Sequence, residues 1–564
     1  MAHKKAGQAL AELEAAKRNF GSDGAKISQA LKSLAQSHLT DAECLIHFHE
    51  TLLFLRAYPP NATILNLVER VLRPFHQRVA ELVDAGVDLS ALDNPEVSGI
   101  AGGSVTSNFS YAIVRWLVAK YPAQLSIDWD WFEEEDRFGA TMPRFLPLLE
   151  DDAMVEAHVP FREWLDAARG RTRELTWLIR QFESLPFPDR RKAELYDALK
   201  LHVTWRFGAQ ASRTLMRQST RRTFFHDKPL IQRREISLSR ELSSPLIPIQ
   251  RVSSREGERI LDLAREASAV RYRELHGFTY GDAGRVLKAE LGRGTEVFVT
   301  GVPPGNRLPL RAYHAALVFK NGVPVAYFEG LSICERMESG FNLYYTFRDG
   351  ETAWLYVRIL RLMRQLLGVT VFSIDPYQVG HENEEGIESG AFWFYRKLGF
   401  RPVNPALMEL TNAEEQKLRA NAGYRTPPRT LRKLASGHML FELPGETSKQ
   451  WDRFHVRKIG LAVQRRMARD FDGDSKKMRN YSAQFLNRTL KVNAESWTGD
   501  QKSALENLSL VLGMIPGIAK WNPAEKALAV RIIRAKAGAD EALYLKLMQR
   551  HGALRQALIG FGSK

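Results

Sequence analysis

The dipeptide Asn321-Gly322 lies between two apolar runs, residues 314–320 and 323–329. Asn-Gly is the strongest short-range signal for a two-residue turn, because both positions of that turn need a positive φ. The two runs are therefore predicted to form a β-hairpin. The chain has 564 residues, and at ~100–200 residues per domain this hairpin belongs to one of about three or four domains.

The segments around the hairpin alternate between helix and strand patterns. The predicted helices, each with apolar residues three and four apart, are residues 256–273, 352–367 and 387–398. The predicted strands, each rich in β-branched and apolar residues, are 295–300, 341–347, 369–374 and 438–443. This order predicts an α/β domain with flanking helices.

The composition of the chain changes on either side of this domain. Residues 1–240 repeat apolar residues at helical spacing and predict a helical N-terminal domain. A Ser/Pro-rich stretch near residue 245 ends this pattern and begins the α/β domain, residues 250–445. Residues 446–564 are basic and again helical in pattern. The prediction is an α/β central domain between α-helical N- and C-terminal domains.

The end of the third predicted helix carries the most specific motif of the central domain. Ala391 and Tyr395 are four residues apart on one helix face, and Gly399-Phe400 follows where the helix ends. Together with the order of strands and helices, this motif resembles the GCN5-related N-acetyltransferase (GNAT) superfamily, which implies a mixed, mostly antiparallel sheet. The superfamily motif is Asn-x-x-Ala-x-x-x-Tyr-x-x-x-Gly-Phe, and Glu388 stands here in the place of Asn.

The resemblance implies an N-acyltransferase that uses acyl-CoA, with acetyl-CoA favoured, and an unidentified amine as acceptor. It implies that Tyr395 is the general acid that protonates the departing thiolate, and that Glu338 or Glu351 is the general base. Further candidates for the base are Glu382, Glu384, Glu385 and Glu388. The turn expected to hold the CoA pyrophosphate contains Phe347, Arg348, Gly350, Thr352 and Ala353. The loop expected to contact the substrate contains Gln378, His381 and Asn383.

An alternative function keeps the same fold without catalysis. The predicted turn also carries Asp349 and Glu351, whose negative charges would oppose a bound pyrophosphate. In the alternative, the central domain is a non-catalytic scaffold, and basic helical segments bind nucleic acid or an acidic partner protein. The acceptor in the catalytic interpretation is a small-molecule or macromolecular amine.

Positive charge is concentrated in two segments. Residues 446–564 contain 22 basic and 11 acidic residues, and residues 201–240 contain nine basic and two acidic residues, in a chain of formal charge +15. Such segments are candidates for contact with nucleic acid or an acidic protein. Arg213, Arg217 and Arg221 would form a stripe if they lay on one continuous helix. Few aromatic residues interleave the basic clusters, so the sequence does not predict a platform for stacking single-stranded bases.

Three further features limit the possible classes of protein. The two cysteines, Cys44 and Cys334, are too few for a disulfide framework, which favours a reducing, cytoplasmic compartment. The apolar run 508–519 is shorter than the ~20 residues of a membrane-spanning helix, so no transmembrane segment is predicted. His47 and His49 are two residues apart and point to different sides of a helix, so no metal site is predicted.

Overall fold

The computed structural model describes residues 2–17, 24–146, 161–208, 212–445 and 449–563. Over these ranges the chain is a mixed α/β protein, in which helices flank a central and mostly antiparallel sheet. The predicted α/β class of the central region is therefore confirmed. A second, smaller sheet has three strands: β1 (Ser104–Ser107), β2 (Leu125–Ile127) and β3 (Val203–Arg206).

Nine strands form the central sheet, in the order β11-β12-β10-β9-β8-β7-β6-β5-β4. Their bounds are β4 Ile249–Arg251, β5 Leu287–Gly292, β6 Thr295–Thr300, β7 Ala312–Lys320, β8 Val323–Ile333, β9 Arg336–Leu343, β10 Val371–Ile374, β11 Arg401–Pro402 and β12 Met439–Glu442. Among the described residues, all neighbouring pairs are antiparallel except β9 and β10, which run parallel. One parallel pair therefore interrupts an antiparallel sheet.

The helices fall into three groups along the chain. Before the central sheet they are Ala2–Ala16, Gly24–Gln36, Ala42–Ala57, Ala62–Leu72, Phe75–Asp84, Tyr111–Lys120, Glu135–Thr141, Phe161–Arg169, Glu174–Ser184, Asp189–Asp197 and Leu238–Leu242. Between its strands they are Ser254–Ala269, His276–Thr279, Thr352–Leu367, Glu384–Glu388, Ala391–Arg396, Pro405–Ala420 and Pro428–Leu434. After it they are Val456–Phe471, Ser475–Leu490, Gly499–Leu512, Pro523–Lys536, Ala542–Arg550 and Gly552–Ser563.

The predicted hairpin is the centre of the sheet. Lys320 of β7 pairs with Val323 of β8, and Asn321 and Gly322 form the turn with φ values of 48° and 81°. Both φ values are positive, as a two-residue hairpin turn requires. The sequence signal is thus confirmed at the level of the backbone.

Two helices cover the two faces of the sheet. Helix Ser254–Ala269 packs on one face, where Leu317 and Phe319 of β7 contribute to a shared apolar cluster. Helix Thr352–Leu367 packs on the other face, in a larger cluster that also includes residues from the first hundred and from the C-terminal helices. The terminal helical segments therefore share a core with the central sheet.

The prediction that residues 1–240 are helical is wrong in two places. Strands β1, β2 and β3 form the small sheet, which has its own apolar cluster with the helices around it. These strands are only three or four residues long and contain Ser and Thr, so they carry too little periodic signal to be recognised. Arg213, Arg217 and Arg221 lie outside any helix and form no stripe.

Two predicted elements of the central region have different bounds. Residues 341–347 were expected to be a strand, but β9 begins at Arg336, ends at Leu343 and is followed by the 3-10 turn Tyr345–Phe347. The helix expected at 387–398 is two short helices, Glu384–Glu388 and Ala391–Arg396. Gly390 separates them because its φ of 66° is left-handed and interrupts the helix.

Every helix in the described part of the chain is too short or too polar to cross a membrane.

Candidate functional site

Strand β10 pairs with the beginning of β9 and then ends, whereas β9 continues. Residues 336–338 of β9 lie opposite residues 371–373 of β10. β9 continues to Leu343, whereas β10 ends at Ile374 and the chain leaves the sheet through the 3-10 turn Pro376–Val379. Within the described ranges, residues 339–343 therefore have a partner strand on the β8 side and a gap on the other.

A cavity of about 550 Å³ lies at this gap. Its walls are the separated part of β9, the loop and short helices that follow β10, and the N-terminal end of helix Thr352–Leu367. The volume falls within the range of about 300–1,000 Å³ that is typical of small-molecule sites. The point where β10 ends beside β9 is thus also a site large enough for an organic ligand.

Tyr395 lines the cavity close to the point where the strands separate. Its ring packs edge-on against Tyr356, with 5.6 Å between the centroids, and Tyr356 shares a 2.8 Å hydrogen bond with Ser339 of β9. The Tyr395 side chain is largely buried, yet its hydroxyl has no hydrogen-bond partner among the described residues. Burial raises the pKa of this hydroxyl above its ordinary value, so it is protonated at neutral pH. Tyr395 therefore presents a proton donor to the cavity.

Two of the five residues expected at the pyrophosphate turn reach the cavity. They are Arg348 and Thr352, and Thr352 begins a helix of 16 residues whose first backbone N–H groups can bind an anion. Phe347 and Ala353 are buried in the apolar core instead. Gly350 is packed under the N-terminal segment, because a Cβ there would lie 2.5 Å from the Tyr58 Oη.

The acidic residues of this turn face away from the cavity. Both carboxylate oxygens of Glu351 are occupied: Oε2 accepts from Lys320 Nζ at 2.9 Å, and Oε1 pairs with Arg293 Nη2 at 2.5 Å. Asp349 lies 3.7 Å from Lys17 Nζ. The two carboxylates that would oppose a bound pyrophosphate therefore do not line the cavity and lie close to cations.

Glu351 does not have the environment of a general base. Its side chain is fully buried, and although burial opposes ionisation, Lys320 and Arg293 outweigh this effect and lower its pKa to about 2. A carboxylate held by two cations has little affinity for a proton from a substrate. Glu351 is instead the centre of a structural ion-pair cluster.

Glu338, the other expected base, lies in the paired part of β9. It is opposite Ser373 of β10, and its carboxylate approaches Arg311 Nη1 at 3.4 Å and Arg336 Nη2 at 3.9 Å. The cavity begins beyond this position and Glu338 does not line it. The carboxylate that does line the cavity is Glu385, one of the four further candidates.

Two of the three expected substrate contacts lie at the cavity. Gln378 and Asn383 line it, whereas His381 is exposed to solvent between them. Asn383 also begins helix Glu384–Glu388, where its Oδ1 accepts from the Gly386 N–H at 3.3 Å. The loop after β10 therefore brings two side-chain amides to the cavity.

Arg273 is the main cavity residue that the motif did not select. It follows helix Ser254–Ala269 in the chain, and its Nη1 donates to the Tyr327 hydroxyl at 3.0 Å. Among the described residues Tyr327 is its hydrogen-bond partner, and although burial opposes its charge, Tyr327 and the nearby Glu385 carboxylate contribute to raising its pKa. Arg348 is ion-paired directly with Glu385 and Glu96. Arg273 is thus the cation of the site that has no direct ion pair in the described chain.

Comparison of the chain with models of known protein families, with curated proteins and with solved structures gave no match. The geometry of the cavity is therefore the basis for assigning a function. Its residues come from sequence positions as far apart as 273 and 395. Tyr395, Gln378 and Asn383 follow from the local motif and loop, whereas Arg273 and Tyr327 join the site only through the tertiary fold.

Proposed function

We propose that this protein transfers an acyl group from acyl-CoA, with acetyl-CoA favoured, to an amine. The observation that carries the proposal is the cavity at the separated β9 and β10 strands, with the unpartnered Tyr395 hydroxyl near the point of separation. A GNAT-like fold of the central region is part of this proposal. The order of the strands, the single parallel pair and the helix that starts beside the gap all support it.

The donor groups of the cavity fit an acyl-CoA. The N-terminus of helix Thr352–Leu367 and the guanidinium group of Arg273 line the cavity, where they would hold the pyrophosphate. The separated edge of β9 offers backbone N–H and C=O groups to the amides of the pantetheine arm. When bound, acyl-CoA supplies an activated thioester whose carbonyl carbon an amine can attack.

Each side chain of the site then has a defined task. The Tyr395 hydroxyl, which is protonated at neutral pH and has no hydrogen-bond partner among the described residues, donates its proton to the departing thiolate. Glu385 lines the cavity but pairs with Arg348, so the proton of the attacking amine is proposed to leave to solvent. Gln378 and Asn383 orient the acceptor through their amides.

The first prediction from this proposal concerns binding. Isothermal titration calorimetry of the full-length protein with CoA and acetyl-CoA should give dissociation constants in the range of about 1 μM to 1 mM, as for most enzyme substrates. Both ligands should also raise the Tm, since a ligand that binds only the folded state stabilises it. No heat and no Tm shift at ~1 mM of either ligand would favour the alternative, a non-catalytic scaffold.

A second prediction concerns Arg273. Arg273→Gln should weaken CoA binding roughly tenfold or more, because a charge-assisted hydrogen bond contributes about 1.5–3 kcal/mol. Calorimetry with pantetheine, which lacks the phosphates, should show no change. The matched control is Arg259→Gln, which removes a half-exposed arginine from the preceding helix, where its nearest carboxylate is 3.9 Å away. Equal weakening of CoA and pantetheine binding would show that Arg273 does not contact the phosphates.

The acceptor and the compartment are also matters of proposal. The acceptor is an amine, small or macromolecular, that enters from the loop carrying Gln378 and Asn383. A cytoplasmic location would supply acyl-CoA, and both cysteines are free thiols, Cys334 buried and Cys44 half-buried. Free thiols are the ordinary state of cysteine in a reducing compartment.

A further inference from the structure

A second, strongly basic cleft lies in the C-terminal helices. Its volume is about 520 Å³, and helix Val456–Phe471 forms one wall, opposite Gly513 and Met514. Four cationic residues of this helix line the cleft with a single acidic residue: Lys458, Arg465, Arg466, Arg469 and Asp470. The cleft therefore presents a marked excess of positive charge to an open concave surface.

Arg466 lies at the base of this cleft with an unsatisfied donor. Its Nη1 is buried and has no hydrogen-bond partner among the described residues, and its nearest carboxylate, Asp470, is 3.7 Å from Nε. Gly513 makes room for the guanidinium, because a Cβ there would lie 3.1 Å from the Arg466 Nη1. A buried donor of a charged group without an acceptor costs stability. The other donors of the Arg466 guanidinium, whose side chain is 11% exposed, are the ones that an anion in the cleft could contact.

The cations continue along the exposed face of the same helix. Arg457, Leu461, Arg465 and Arg469 are all exposed and are spaced by four residues, so they follow one another at intervals of about 6 Å. Arg465 has no ion-pair partner in the described chain, whereas Arg469 pairs with Asp470 at 2.7 Å. This row can contact several negative groups in succession.

Aromatic rings lie beside the cleft, although their positions in the sequence did not suggest it. The Arg466 guanidinium lies 5.7 Å from the Phe471 ring centroid, and Phe471 packs against Tyr481 at 5.4 Å. Tyr481 in turn stacks nearly parallel on Phe485, with 5° between the ring planes. Tyr481 is 48% exposed, so part of this aromatic series is open to solvent near the cations.

We propose that this surface binds single-stranded nucleic acid, independently of the acyl-transfer site. Arginine forks match the geometry of phosphate oxygens, and Arg465, Arg466 and Arg469 would hold successive phosphates of the backbone. The exposed ring of Tyr481 supplies a stacking surface for an unpaired base, which a base inside a duplex cannot use. Cations in a concave groove beside an open aromatic ring are the usual combination in proteins that bind single strands.

The other partners of a basic surface fit less well. A membrane-binding helix needs a broad apolar face to insert, but Leu461 is the only large apolar residue that helix Val456–Phe471 exposes. An acidic protein would use the cations and leave the aromatic series without a role. In the basic segment 201–240, two arginines are already engaged, because Arg213 forms a buried ion pair with Glu50 and Arg217 pairs with Glu69 at 2.8 Å.

The test is fluorescence anisotropy with the full-length protein and a labelled oligonucleotide of about 20 nucleotides, as single-stranded DNA, single-stranded RNA and duplex. The single strands should bind more tightly than the duplex. Tyr481→Ala should weaken single-strand binding roughly 5- to 100-fold, whereas Tyr481→Phe, which keeps the ring, should leave it unchanged. The affinity for a single strand falls with salt, and each phosphate contact adds about 0.7 to the steepness of log K against log salt concentration. The triple variant Arg465→Gln with Arg466→Gln and Arg469→Gln should therefore reduce this steepness by about 2.

The matched control is the double variant Arg190→Gln with Arg191→Gln, which removes two exposed arginines from helix Asp189–Asp197 and should not alter binding. The Tm of every variant shows whether it is folded. If the loss of Arg466 unfolds the chain, the double variant Arg465→Gln with Arg469→Gln replaces the triple variant, because both of these arginines are exposed. The proposal is overturned by no binding at about 50 mM salt, by equal affinity for duplex, or by an unchanged affinity of Tyr481→Ala. In a further outcome, the protein binds anionic phospholipid vesicles and no oligonucleotide. If the arginine variants abolish that binding, the proposal is overturned in favour of a membrane surface as the partner.

Discussion

Tyr395→Phe is expected to lower kcat for acyl transfer by about 10²–10⁴-fold, the usual contribution of a positioned general acid. The substitution removes only the hydroxyl, which has no hydrogen-bond partner among the described residues. The ring that packs against Tyr356 and Phe400 is retained. The Tm and the affinity for acetyl-CoA should therefore stay close to those of the original protein.

The measurement is the release of free thiol from acetyl-CoA with the most active amine from a panel of amino acids, polyamines and lysine peptides. Tyr356→Phe is the matched control, because it also removes a buried hydroxyl from the same aromatic cluster. That variant loses a hydrogen bond to Ser339 and should lose about 1 kcal/mol of stability without losing the chemical step. An unchanged kcat in Tyr395→Phe, with acetyl-CoA still bound, would assign the thiolate proton to solvent.

The pH dependence of kcat provides a second test of the role of Tyr395. Burial raises the pKa of the Tyr395 hydroxyl above its ordinary value, so the acid form should persist through the neutral and moderately alkaline range. We expect no loss of kcat from this group below about pH 10, the ordinary value for a phenol. A fall of kcat near neutral pH that Tyr395→Phe abolishes would contradict this assignment.

The parts of the fold that could be predicted are those with a local signal. Helix Thr352–Leu367 has the predicted bounds, because its apolar residues recur at helical spacing and Gly368 ends it with a φ of 74°. Strand β6 likewise has the predicted bounds, Thr295–Thr300. In both cases the residues that form the element also determine its ends.

The parts that failed depend on distant residues. Glu351 is adjacent to the expected pyrophosphate turn, but Lys320 and Arg293, which are 31 and 58 positions earlier in the chain, draw its carboxylate away from the cavity. Arg273 joins the site because the helix before it packs on the sheet, and no spacing relates it to Tyr395. Local patterns specify elements, whereas side-chain partners across the fold determine which residues of a motif reach the site.

The ion-pair cluster around Glu351 leads to the second large expected effect, which is on stability. Lys320 and Glu351 are both fully buried, and Nζ of Lys320 also lies 4.9 Å from the Tyr58 ring centroid and 5.6 Å from that of Trp354. Burial lowers the pKa of Lys320 to about 8, so the lysine needs its partner to remain charged. Removal of one member of such a pair leaves the other charge buried and unpaired.

Glu351→Gln should therefore lower the free energy of unfolding by about 3–5 kcal/mol, which is typical for breaking a buried pair. Differential scanning calorimetry measures the effect as a lower Tm. Glu258→Gln is the matched control, since it removes a half-exposed carboxylate 2.9 Å from Arg265 and should cost less than about 1 kcal/mol. The double variant Glu351→Leu with Lys320→Met should recover part of the loss, because no buried lysine is left unpaired, whereas Arg293, which is 26% exposed, still loses its partner.

The same cluster predicts acid sensitivity with a definite sign. The pKa of Glu351 is about 2 in the folded protein and 4.5 for the free side chain, so the unfolded chain binds the proton more tightly. The stabilisation is then complete above pH 4.5 and is lost as the pH falls towards 2. The gap in Tm between the original protein and Glu351→Gln should narrow over this interval. A constant difference in Tm across this interval, or a variant as stable as the original at neutral pH, would mean that Glu351 is not the stabilising partner of Lys320. Glu351 would then no longer be assigned as a structural residue.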